Sequence, residues 1–324
     1  MFDHFRKGRK WFLVIVAGAV GTFTAVQAGY AQGTWTALAP VPAPTEGMTV
    51  GGVGQVIVGA YGYSGGYTNQ TRLYNINTDL WSAGTAAPLP ARAEAASGDT
   101  THGGFLYVIG GEGSTGVLAD LQRYDPVMDM WTTLTSMPTA RAGAAAAVID
   151  DGIFVIGGRQ STNGPCSGGP YLGTVEKYDI DTNTWSPVAQ LPTPRSDLAA
   201  VARGGKIFVF GGCSSTGVTN EVDMYDPQTN TWTTGLMPMP TARASLAAGH
   251  SGDNVYAIGG TNGVSASNAN EVYDVAHNTW STNNTAMPTA RQEAGVNSHA
   301  GRIYVVGGST TFGTSTAANE VFKP

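Results

Sequence analysis

The chain has 324 residues, of which 42% are apolar and 12% charged, with 23 Asp and Glu against 17 Lys and Arg. That much apolar material excludes a disordered chain. The acidic balance, with no basic run beyond the N-terminus, excludes a protein that tracks nucleic-acid phosphates.

Residues 1–28 read as a secretory signal. Arg6, Lys7, Arg9 and Lys10 form a basic head, Trp11 to Val26 an apolar stretch, and Val26-Gln27-Ala28 a small-residue cleavage motif, with a second cut available after Ala31. The apolar stretch is broken by Thr22 and Thr24 and is short for a membrane span. Removing the four basic residues and Asp3 leaves 13 basic against 22 acidic side chains, a net charge of −9. The expectation is an exported protein, secreted or periplasmic, monomeric and without a membrane span after cleavage. Residues 29–33 form a short leading segment, and residues 34–324 a single domain.

From residue 34 onward one pattern recurs six times. Its clearest mark is tryptophan, at Trp35, Trp81, Trp131, Trp185, Trp232 and Trp280, spaced 46, 50, 54, 47 and 48 residues apart. A period near fifty residues marks an array in which no unit buries its apolar face alone. Each unit reads as four strands. The first follows an arginine, Arg92, Arg141, Arg195, Arg243 or Arg291, and runs through small residues such as Ala144 to Ala147. The second is an apolar run closed by Gly-Gly, as in Leu106 to Gly111 and Ile207 to Gly212, with Gly59-Ala60 in the first unit. The third ends in Tyr-Asp, as at Tyr225-Asp226, followed by a tight Asp-Pro-x-x-Asn turn and a fourth strand at Trp.

The ends decide the topology. The last unit stops at Glu320-Val321-Phe322-Lys323-Pro324 without a Trp strand, whereas Thr34-Trp35-Thr36 is a fourth strand without a unit. One unit split between the two ends closes a ring and leaves no open edge. The expected fold is all-β, a propeller of six four-stranded antiparallel blades. These residues resemble the kelch-repeat family. The resemblance implies either an interaction module or, more weakly, a carbohydrate-active enzyme of the sialic-acid epimerase (mutarotase) type.

In such a ring the arginines and the loops after Gly-Gly share one face. Those loops carry Tyr61, Tyr63, Tyr67, Tyr171 and Phe312, and variable loops on a rigid repeat are where binding sits. Two residues beyond the arginines stand Glu94, Asp197 and Glu293 in alternate units, with Gly143 and Ser245 between. By resemblance, positions just after this arginine face the pocket. A ligand-binding ring of Arg92, Arg141, Arg195, Arg243 and Arg291 with Tyr63 and Tyr171 is one reading. Arginines that bond loop carbonyls in every blade are the other. Glu94, Asp197 and Glu293 are the candidates for acid–base work. The ligand expected is a glycan or a protein.

Cys166 and Cys213 fall on loops of adjacent units, where a disulfide is expected, with free thiols as the alternative. The histidines form no metal cluster: His102, His250 and His299 are expected in turns before the second strand, so no metal and no cofactor is expected. Gly111-Glu112-Gly113-Ser114-Thr115-Gly116 matches a dinucleotide pattern but lacks a βαβ unit around it.

Overall fold

The computed structural model describes residues 32–324 apart from Asn163 and Ser167, so the signal-like segment 1–28 lies outside the described residues. Every regular element among the described residues is a strand. Blade 1 spans residues 49–84, blade 2 residues 101–134, blade 3 residues 145–187, blade 4 residues 199–233 and blade 5 residues 247–281, each a four-stranded antiparallel sheet. Blade 6 takes three strands from residues 295–323 and its fourth from Thr34–Ala37, which pairs Trp35 with Phe322 and Thr36 with Val321. The expected closure is therefore the observed one.

The apolar residues gather in six wedges, each between neighbouring blades. Phe154 and Ile156 of blade 3 pack with Ile207 and Tyr225 of blade 4, and Val50 and Tyr74 of blade 1 with Tyr304 and Val321 of blade 6. Small residues line the axis because the inner strands crowd one another. A Cβ on Gly295 would run into the Val50 side chain across the blade boundary.

Each of the six repeat tryptophans is partly buried, and its indole N–H ties its blade to the connection leaving the preceding one. Trp81 donates to Ala39 O, Trp185 to Thr135 O and Trp280 to Met237 O, all within 2.8–2.9 Å. Trp35 does the same to Thr285 O at 2.9 Å, so the split blade is bound like the rest. The tyrosine hydroxyls donate to Asp79, Asp129, Asn183, Asn230 and Asn278. Those turn residues have φ of 51–55°, a region Asp and Asn tolerate better than most.

Gly-Gly has a specific cause. In blade 2, Gly111 N–H donates to Arg141 O at 2.9 Å, and a Cβ on Gly110 would lie 2.7 Å from that same carbonyl. In this blade the backbone passes so close to the next one that a side chain on Gly110 would strike it. Here the structure corrects the reading of the first unit. Its counterpart of Gly-Gly is Tyr61-Gly62, at φ 61° and 108°, and not Gly59-Ala60. Gly62 N–H donates to Arg92 O at 2.8 Å, as its glycine counterparts do elsewhere. Tyr61 is held by its hydroxyl on Pro88 O at 2.9 Å and by its ring beneath the Arg92 guanidinium.

Candidate functional site

The inner strands begin four residues after the arginines, at Ala145 after Arg141 and Ala199 after Arg195. The acids two residues after an arginine are thus not on a strand face. They occupy a bend, and all six equivalent positions, Gly47, Glu94, Gly143, Asp197, Ser245 and Glu293, have φ between 50° and 60°. Each N–H in this bend donates to the carbonyl of its counterpart in the preceding blade. Glu94 N bonds Gly47 O, Gly143 N bonds Glu94 O, and so on to Glu293 N on Ser245 O, until Gly47 N returns to Glu293 O at 3.0 Å. The result is a closed ring of backbone hydrogen bonds around the axis, and it brings the three expected acids together.

Below this ring the channel is narrow, about 70 Å³. Blade 2 explains why. Its inner strand is reduced to Thr101–His102, and Ser97-Gly98 leans across the axis, with Ser97 Oγ 3.4 Å from Leu198 O. Above the ring, among the loops, lies a cavity of about 280 Å³, close to the lower end of small-ligand pockets. Glu94 and Glu293 border both spaces. The cavity adds Glu46, Glu112, Tyr63, Tyr67 and Phe312.

Arg159 organises this cluster from behind. It is fully buried, donates from Nη1 to Asp197 Oδ1 at 2.8 Å and from Nη2 to Glu112 Oε2 at 3.2 Å, and forms a close ion pair with Glu94. The three carboxylates come from the blade 2 and blade 4 segments. Burial works against its charge, but Asp197 and Glu94 outweigh burial and raise its proton affinity. Desolvation pushes the Glu94 carboxyl up to about 8; Arg159 opposes the rise, while Asp197 and Glu112 add to it. Desolvation, then repulsion from Glu94, Glu46 and Asp197, raises the Glu293 carboxyl well above its ordinary value. Burial raises the Glu46 carboxyl. Tyr67 donates to Glu112 Oε1 at 2.9 Å, and burial followed by that bond raises its hydroxyl.

The repeat arginines lie elsewhere. Arg92, Arg141, Arg195, Arg243 and Arg291 are at most 1% exposed. Arg141 pairs with Glu176 at 2.5 Å and donates to Gly157 O at 2.9 Å; Arg243 pairs with Glu271 at 2.5 Å and donates to Gly259 O at 2.8 Å. Arg195 pairs with Asp223 and Glu221, Arg291 with Glu320, and Arg92 with Asp120 at 3.4 Å. Such burial leaves a ligand no surface on them, and the carbonyl-bonding reading describes Arg92, Arg141, Arg243 and Arg291, while among the described residues Arg195 bonds carboxylates alone. In blade 1 the pair is inverted: Thr45 stands in the arginine position, and Arg72 replaces the carboxylate of the third strand.

Of the two expected tyrosines, Tyr63 lines the cavity and packs edge-on against Tyr67 at 5.5 Å. Tyr171 is bridged to Arg159 along the backbone and stays outside the cavity lining. Cys166 and Cys213 form the expected disulfide, with Cα atoms 5.3 Å apart across 47 residues. It pins the loop whose Thr162 and Pro165 wall the cavity, and Cys166 N–H donates to Asp197 Oδ2 at 3.3 Å. His102, His250 and His299 sit within first strands, not in the turns expected, and His102 pairs with Asp151 at 3.0 Å.

Sequence reasoning missed Arg159, Glu46 and Glu112. A usable signal existed. The residue directly after Gly-Gly is Glu112, Arg159, Cys213, Thr261 and Ser309 in successive blades, and each is bridged to the residue following the repeat arginine position. Arg159 is the one cation in that series.

The family model described as the KLHDC2/KLHL20/DRC7 Kelch-repeats domain matches residues 135–308, and a Kelch motif model matches residues 95–138. Kelch-like protein terF of Aspergillus terreus is 31% identical over 188 residues, 53% of this chain and 39% of its own length. Human Kelch-like protein 23 is 31% identical over 129 residues, 40% of this chain and 22% of its own. The chain thus spans two fifths or less of the curated relatives it matches. The solved structure of YjhT aligns with a TM-score of 0.75 at 20% identity, over 87% of this chain and 95% of that one, a likeness of fold. With the matched domain covering over half of its length and the blades built as described, the chain belongs to the kelch-repeat family.

Proposed function

We propose that this protein is an exported binding propeller that takes a glycan in the acidic cavity on its loop face. The observation that carries the reading is the cavity itself. Tyr63, Tyr67 and Phe312 supply aromatic faces, and Glu46, Glu94, Glu112 and Glu293 supply acceptors for sugar hydroxyls. The ring of backbone hydrogen bonds and the disulfide hold these groups in place before any ligand arrives, which lowers the entropic cost of binding. Binding of purified propeller to a broad glycan array is the test. An array without a single bound glycan, together with Tyr63→Ala and wild type behaving alike, would remove the reading in favour of a protein partner.

A second reading is favoured by one observation. Glu94, with its carboxyl raised to about 8, stands among Arg159, Asp197 and Glu112, an arrangement suited to moving a proton at neutral pH. A sugar epimerase or mutarotase would use Glu94 and Glu293 as acid and base, with Asp197 fixing Arg159. Anomer exchange of free sugars followed by NMR separates the two readings. Rates equal to those in buffer alone exclude the enzyme.

A further inference from the structure

We infer that the glycan taken by this cavity carries a free amino group, so that the ligand class is a saccharide with an unacetylated amino sugar; this rests on the glycan reading above. No basic side chain stands in the described lining of the cavity, while four carboxyls do. Two of the four are already engaged, Glu94 and Glu112 with Arg159, and Glu112 also with Tyr67. Glu46 and Glu293 form no ion pair among the described residues; Arg159 acts on Glu293 only at a distance, and Gln292 Nε2 donates to Glu293 Oε1 at 3.3 Å. Glu46 is 6% exposed; the Ser309 and Ser315 hydroxyls lie beside it, but its buried Oε2 has no well-aligned donor and no cation among the described residues. A buried carboxylate served only by hydroxyls, with no cation to balance it, is costly to a fold and favours a positive group from outside.

The rest of the lining selects the kind of donor. A hard divalent cation draws on oxygen ligands alone and would leave the aromatic rings without a part. An anionic sugar would meet four carboxyls and no free guanidinium, because Arg159 is held by Glu94, Glu112 and Asp197 behind the wall. An ammonium group uses both features, carboxylates for its N–H donors and ring faces for its charge. The perpendicular Tyr63 and Tyr67 rings, 5.5 Å apart, and Phe312 stand beside Glu46 and Glu293 in the same cavity. An arriving ammonium also relieves the mutual repulsion of these acids and displaces protons that their raised affinity retains.

The test is calorimetry on the whole propeller with two probes, a tetramer of glucosamine and its fully N-acetylated counterpart. The amino form is expected to bind about tenfold more tightly or better, to weaken as salt rises from about 50 to about 300 mM, and to release protons into buffer near neutral pH. Glu46→Gln and Glu293→Gln, each keeping the wild-type melting temperature, are expected to erase the preference between the probes. Equal or tighter binding of the N-acetylated tetramer overturns the amine and leaves the glycan reading standing. Failure of both tetramers while a neutral glycan binds does the same. Failure of every glycan overturns both readings, and capture of a lysine tetrapeptide in their place overturns the amino sugar.

Discussion

Two sets of arginine in this protein are equally buried and differ in what holds them. Arg141, Arg195, Arg243 and Arg291 each pair with a carboxylate on the third strand of their own blade, and all but Arg195 also bond carbonyls beside it. Arg159 has no such partner in its blade and gathers carboxylates from the segments of blades 2 and 4. Burial and charge therefore do not separate the two sets. Departure from the repeat does. Arginine that recurs with its counter-ion is part of the unit, and arginine that appears once, in a slot its sisters fill otherwise, is the one the proposed function draws on.

The largest effect should come from breaking the recurring pair. Arg243→Ala leaves Glu271 buried without its cation and is expected to cost about 3–5 kcal/mol in urea unfolding, with ligand affinity of the folded fraction unchanged. A loss below about 1 kcal/mol would mean the pairs do not support the blades. The pH dependence comes next. Glu94 binds its proton more tightly folded, at about 8, than its ordinary 4.5. Its contribution is therefore complete below about pH 4.5 and is lost as pH rises toward 8, at about 1.4 kcal/mol per unit. Glu94→Gln is expected to remove that slope, measured by urea unfolding across the range. An unaltered slope would place the titration elsewhere.

Arg159→Lys sharpens the contrast from the other side. Lysine keeps the charge but cannot fork to three carboxylates, so a loss of about 1–2 kcal/mol is expected, together with weaker ligand binding that Arg243 variants do not show. Equal affinity for wild type and Arg159→Lys would remove the distinction between the two sets. The smallest effect is expected at Tyr171→Phe, within about 0.5 kcal/mol in stability and without change in affinity, because Tyr171 stays outside the cavity lining.

The blades were legible because they are periodic. Trp, Tyr and Gly-Gly recur at fixed spacing, and the missing Trp strand after Phe322 matched the spare one at Trp35. The register of blade 1 was not, since Tyr61 adopts at φ 61° the conformation that glycine takes in the other blades. The site was half legible. Glu94, Asp197 and Glu293 stood out at one repeat position and do meet at the mouth. Their orientation came from a positive-φ bend that strand alternation does not describe. Arg159 was hidden because it lies in a loop of variable length, where only counting from Gly-Gly aligns it with Glu112 and Cys213.

The pairing of Thr34–Ala37 with Asn319–Lys323 has a consequence for how the molecule comes into being. The contact joins segments some 280 residues apart, among the most distant a chain of this length offers, and such non-local pairing is slow to form. Five sheets can assemble as they are made, but the sixth needs both Thr34–Ala37 and Asn319–Lys323. Until Asn319–Lys323 emerges, the nascent propeller is an open arc with a bare strand on one side and an unmatched Trp35 on the other, and it is in that interval that a chaperone or a neighbouring copy could capture it.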